Sequence, residues 1–140
     1  MKKLICLLSL CIFIFCGCEF ALENQSAVVF FSARPILRDS FTESQVEDTF
    51  NKGQLIYFCV YSKTPFNANE GRIQILQKEP KAPNLGYSMY QAKDILLNPA
   101  KNYYTGCFTI YSDGFYLLRV FTLNSPKVPI SQRTFWVAAE

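Results

Sequence analysis

No histidine occurs anywhere in this 140-residue chain. That removes the usual base of a Ser–His or Cys–His nucleophile pair, and imidazole as a metal ligand. Of six cysteines, Cys6, Cys11, Cys16 and Cys18 crowd the N-terminus, leaving only Cys59 and Cys107 further on. Two thiols without histidine do not make a zinc site. The six glycines form no Gly-x-Ser-x-Gly elbow, P-loop or dinucleotide fingerprint. Charge of neither sign dominates: 14 basic residues stand against 11 acidic ones. No basic field is present for nucleic acid. Glu47-Asp48 are adjacent acids in a polar stretch, read as a solvated face rather than a dyad, and Asp113 is read as a turn former. The expectation is a protein that is not an enzyme and has no cofactor and no metal.

Long apolar runs are also missing. Leu4 to Phe15 is apolar except for Ser9, well short of the roughly 20 residues that cross a bilayer as a helix. Preceded by Lys2 and Lys3 and followed by polar sequence from Glu19, it has the plan of an export signal. The junction Phe15-Cys16-Gly17-Cys18 resembles the lipobox of bacterial lipoproteins, with small Gly17 before Cys18. Phe15 replaces the usual aliphatic and Cys16 the usual Ala or Ser, as in the relaxed lipoboxes of spirochaetes. The resemblance implies cleavage before Cys18 and lipidation of that residue, with localisation at a bacterial cell membrane or outer membrane. The competing readings are ordinary secretion, cut after Gly17 or Cys18, and an uncleaved anchor. On the lipoprotein reading, residues 1–17 are the signal peptide, 18–25 a lipidated polar tether and 26–140 a single domain. Losing Lys2 and Lys3 brings the mature chain close to neutrality, with 12 basic residues against 11 acidic.

Strands dominate the rest. Ala27 to Phe31 is β-branched and aromatic and ends before Arg34-Pro35. Ser40 and Glu43 are spaced as a capping box, enough for one or two helical turns. Gln54 to Ser62 carries Ile56, Phe58 and Val60 on one face and Tyr57, Cys59 and Tyr61 on the other, as period-2 geometry requires. Further strands are expected over Arg72 to Gln77, Tyr87 to Ala92 (an edge strand, with a helix to Leu97 as its rival), Tyr103 to Tyr111, Phe115 to Phe121 and Ser131 to Ala138. Gly106 is read as a bulge. Seven strands without a long helix predict an all-β antiparallel sandwich. Its expected core is Ile56, Phe58, Val60, Phe108, Ile110, Tyr116, Leu118 and Val120.

Asp113-Gly114-Phe115-Tyr116-x-Leu118 resembles the approach to strand F in immunoglobulin-like and fibronectin type III-like domains. There a Gly-x-Tyr segment sets up a tyrosine corner, a role the resemblance implies for Tyr116. The strand between residues 72 and 77 has no Trp, and the antibody core disulfide is absent, so the likeness is to the Ig-like class. The rival is a hairpin turned at Asp113-Gly114, pairing the strands on either side. In the Ig-like arrangement Cys59 and Cys107 fall on strands B and E, neighbours on one outer face. They are then either a strained cross-strand disulfide or two unpaired thiols acting as small hydrophobes.

Two functional classes follow. One is a non-catalytic Ig-like binding module displayed on a membrane through its N-terminal lipid, meeting a protein or other envelope partner. Tyr87, Tyr90, Tyr103 and Tyr104 are candidate contact residues on that reading, with capping of the core rim as the plainer alternative. The other is a structural subunit of an envelope complex, packing through an outer face carrying Tyr57, Tyr61 and Tyr111.

Overall fold

Alternation of large apolar with smaller or polar side chains turns more than half of the described residues into strands. The computed structural model describes residues 25–39, 43–82 and 86–139. The expected signal peptide, Cys18 and tether up to residue 24, and Ser40 of the expected capping box, lie outside these residues. Eight strands form: β1 (Ala27–Ser32), β2 (Thr49–Asn51), β3 (Leu55–Ser62), β4 (Glu70–Lys78), β5 (Tyr87–Leu96), β6 (Tyr103–Thr109), β7 (Gly114–Thr122) and β8 (Ser131–Ala138). A 3-10 turn, Glu43–Gln45, precedes β2. β5 is a strand, not a helix, and it runs on to Leu96.

The strands divide into two sheets, β1-β3-β6 and β2-β8-β7-β4-β5. This is an Ig-like order: β1, β3 and β6 take the places of strands A, B and E, and β4, β7 and β8 those of C, F and G. β6 and β7 lie in different sheets, so Asp113-Gly114 turns the chain from one sheet to the other and makes no hairpin. Gly114 has φ 145°, a conformation that disfavours any residue with a Cβ.

One expectation gains a strand and another needs correction. The sandwich has an eighth strand, β2, which pairs parallel with β8 through Phe50↔Val137. Only Phe50 of this short segment is buried, so no alternation marks it in the sequence. Gly106 is not a bulge: β3 and β6 pair without a break, and Gly106 lies opposite Phe58. A Cβ there would meet the Phe58 ring at 2.7 Å, so the glycine makes room for that ring. The irregularity sits instead between β4 and β5, at Ile75/Leu76.

The core fills the space between the sheets. Val29, Phe31, Ile56, Phe58 and Val60 face Ile73, Ile75, Tyr116, Leu118, Val120, Phe135 and Val137. Phe108 is only half-buried, because it sits on β6 at the sheet's margin. Phe135 links the layers: its ring centroid lies 5.0 Å from Phe31, 5.5 Å from Phe108 and 5.4 Å from Tyr116. Burying each such ring contributes about 1.5–3 kcal/mol.

Candidate functional site

Sheet size decides where this molecule is open. Three strands cannot cover five, and the mismatch falls on the flank of β5 and β6. A constant-type Ig domain places strand D beside strand E. Here the one strand among the described residues between β4 and β6, β5, joins the opposite sheet. The place beside β6 is therefore empty among the described residues.

A cleft of about 530 Å³ opens at that place. Its floor is Phe58, Ile73, Ile75 and Phe108, and its walls are Tyr90, Gln91 and Lys93 of β5 and Cys107 and Thr109 of β6, with Tyr111 beyond β6. The register explains the lining. Lys93 lies opposite Ile73 and Gln91 opposite Ile75, so both share the inward face of their apolar neighbours. Tyr90 falls at the bulge, where its ring meets Tyr116 edge-on at 5.5 Å. Its hydroxyl accepts the Tyr111 N–H at 3.3 Å, bridging the cleft mouth. Lys93 is the one charged residue in the lining.

A second depression, about 310 Å³, lies on the outer face of the small sheet, among Phe30, Ile36, Arg38, Cys59, Tyr61, Tyr103 and Thr105. Two cations lie over the Tyr103 ring, Arg38 at 5.0 Å and Lys101 at 5.3 Å from its centroid, each an attraction of about 0.5–1 kcal/mol at exposed sites. The same face leaves Val28, Leu55 and Tyr61 between 42% and 49% exposed.

The expected contact tyrosines do not converge. Tyr90 lines the cleft, Tyr103 the outer depression, and Tyr104 packs on Phe58 at 6.0 Å in the core margin. Tyr87 opens β5, half-buried. Tyr111, grouped by parity with Tyr57 and Tyr61, belongs to the cleft, because β6 ends at Thr109 and the chain turns there. Gln91, Lys93 and Thr109 were not legible as site residues. The expected strand ended at Ala92, and alternation does not reveal which edge stays open.

Cys59 and Cys107 are both free thiols. They share the outer face, but Cys59 pairs with Thr105 and Cys107 with Tyr57. The two thus lie on a diagonal, where Cα atoms stand about 7–8 Å apart, beyond the usual disulfide range of about 4.4–6.8 Å. Of the two readings left open, this geometry matches the pair of unpaired thiols. Burial pushes the Cys59 thiol up to about 11, so it stays protonated at neutral pH.

The Tyr116 hydroxyl donates to the Ser112 carbonyl at 2.9 Å. That leaves the Ser112 hydroxyl to donate to Tyr116 Oη across 2.7 Å. Burial, the larger influence, raises the phenol's pKa, and the Ser112 bond lowers it. Glu47 and Asp48 work through their backbone: the Glu47 N–H donates to Phe31 O, and Asp48 O accepts from Trp136 N–H. Among the described residues no three His, Cys, Asp or Glu side chains gather as a metal site, and no helix is long and apolar enough to cross a membrane.

No family model matches this chain, and no curated protein matches it. Solved structures similar to it include the soluble domain of PmoD from Methylocystis sp., at 13% identity and TM-score 0.47, covering 80% of this chain and 90% of that one. An immunoglobulin-like protein from Pseudomonas aeruginosa is 11% identical, with TM-score 0.48 and coverage of 79% and 91%. A superoxide reductase (neelaredoxin) from Ignicoccus hospitalis is 10% identical, with TM-score 0.46 and 87% of each chain covered. Identities and scores this low transfer no activity to this chain. Its Ig-like character rests on its own strand order and paired sheets.

Proposed function

We propose that this chain is a lipid-anchored envelope protein whose Ig-like domain is a non-catalytic binding module, with the β5/β6 cleft as its contact surface. The observation that carries the reading is the cleft itself. It is a concavity of about 530 Å³ with an apolar floor and a rim of tyrosine, glutamine and lysine, within the usual size of ligand sites. Cys18 supplies the anchor. A single acyl chain holds a protein only marginally, whereas two or more on one residue suffice without a spanning helix.

Each half of the reading has its own test. Cys18→Ala should release the protein from membranes on fractionation, and mass spectrometry should find lipidated Cys18 as the first residue of the wild type. A wild type beginning later would remove the anchor. A photo-cross-linker placed at Tyr111 should give a discrete adduct in the native envelope, and one at exposed Trp136 on β8 should not. Equal behaviour at the two positions would sink the cleft as contact surface.

The second reading, a structural subunit, is favoured by the exposed Val28, Leu55 and Tyr61 on the outer face. On that reading a cross-linker at Tyr61, and not at Tyr111, forms the adduct.

A further inference from the structure

An open strand edge is a row of unpaired N–H and C=O groups, and proteins ordinarily blunt it. Three of the four edges in this sandwich are blunted. Along β1, Ala27 N–H donates to Ile130 O at 3.0 Å, Val29 O accepts from Arg133 Nη1 at 3.2 Å and Phe31 O accepts from Glu47 N–H at 3.0 Å. β2 is only three residues long, between Asp48 and Lys52. β5 is bulged, and Lys93 and Asp94 place charges on it.

β6 has none of these devices. Tyr103–Thr109 contains no charge and no proline, and it pairs with β3 without a register shift. Ser62 N–H donates to Asn102 O at 2.8 Å, which sets the parity of the ladder. Tyr104, Gly106 and Phe108 bond to β3, so Tyr103, Thr105, Cys107 and Thr109 turn their N–H and C=O outward. Among the described residues, no strand lies on that side.

The geometry points to an extended peptide segment of another protein, apolar but carrying an acidic residue, adding as a fourth strand along β6. This narrows the binding-module reading and rests on it. A strand spaced about 4.8 Å from β6 would lie over the inward face of β5, since packed sheets stand about 10 Å apart. Its outward-facing backbone groups on β6 would be met by β-augmentation. Alternate side chains would enter the cleft, where Phe58, Ile73, Ile75 and Phe108 take apolar groups. Lys93, alone in charge there, takes a carboxylate. A second copy of this chain fits less well: its own free edge, Tyr103–Thr109, holds no acid to meet Lys93.

The test is selection of a displayed random peptide library, of about nine residues to cover the edge, on the full chain. Binders should carry Asp or Glu two positions from an apolar residue. A blocked synthetic peptide of that pattern should protect the Thr105 and Cys107 amides from hydrogen exchange. Thr105→Pro removes an outward N–H and should weaken binding by at least about tenfold. Should that variant fold poorly, exposed Lys93→Glu serves: it should switch the preference from Glu-bearing to Lys-bearing peptides by about the same factor. No enriched pattern, or a preference unmoved by Lys93→Glu, overturns strand addition. If Tyr111 adducts persist in that event, the binding-module reading survives and only this mode fails.

Discussion

The two flanks of the sandwich solve one problem in opposite ways. Where β1 meets β8, backbone and arginine donors lace the sheets together: Ala27 to Ile130, Arg133 to Val29, Glu47 to Phe31. Short β2 then extends the larger sheet, with Phe50 and Phe135 rings 6.4 Å apart. Where β5 faces β6, one bond from Tyr111 to Tyr90 spans the gap, and core side chains form a cleft floor. The closed flank spends its polar groups on stability. The open flank leaves N–H, C=O and a lysine available to a partner.

Breaking the closed side should have the largest effect. Phe135→Ala removes a fully buried ring that touches Phe31, Phe50, Phe108 and Tyr116. It should lower stability by about 3–5 kcal/mol in urea unfolding. A cost below about 1 kcal/mol would mean that Phe135 does not join the sheets as described.

Two tyrosines then sharpen the contrast. Tyr116→Phe deletes the phenol tied to Ser112 and should cost about 1–2 kcal/mol. Tyr90→Phe deletes the bridge across the open flank. That bond is long and exposed, so the loss should stay below about 0.5 kcal/mol. Equal effects would erase the distinction between the flanks.

The smallest effect concerns the thiols. Exposed Cys107 should be alkylated by iodoacetamide at pH 8 well before Cys59. With its thiol near 11 against an ordinary 9.0, Cys59 should react about 10- to 100-fold more slowly than an unhindered thiol. The native state thus holds the Cys59 proton more tightly than the unfolded chain does. The associated stability is present below pH 9 and is lost as pH rises through about 11. Cys59→Ala should flatten that part of the alkaline decline. Raised Tyr104 and Tyr116 add their own share above the ordinary phenol range. Peptide mapping that finds a Cys59–Cys107 link would overturn the free-thiol geometry.

Much of the fold was legible because its signals are local. Ile56, Phe58 and Val60 alternate with Tyr57, Cys59 and Tyr61, and the structure buries the first set more deeply than the second. Gly114 ahead of Tyr116 marked a turn into a strand whose Tyr, Leu118 and Val120 are buried. β2 was not legible: three residues around one buried Phe50 have no period, and their pairing depends on β8, over eighty residues away. The Gly106 reading failed for a related reason. A glycine in a strand has several uses, and only the Phe58 ring lying over it identifies this one.

By itself, the amino-acid sequence determined the strand segments, their inward faces and the all-β class, because side-chain alternation is written residue by residue. It also determined which chemistries lack their residues: with no histidine, no imidazole base exists to place. Tertiary structure decided what depends on how strands are shared between sheets. Assigning β5 to the five-stranded sheet left β6 without a neighbour and opened the cleft. It also set Cys107 two residues along β6 from the position opposite Cys59. Both outcomes depend on long-range pairing, in which a strand gains the same hydrogen bonds from either sheet. Only packing of the whole core decides which sheet receives it.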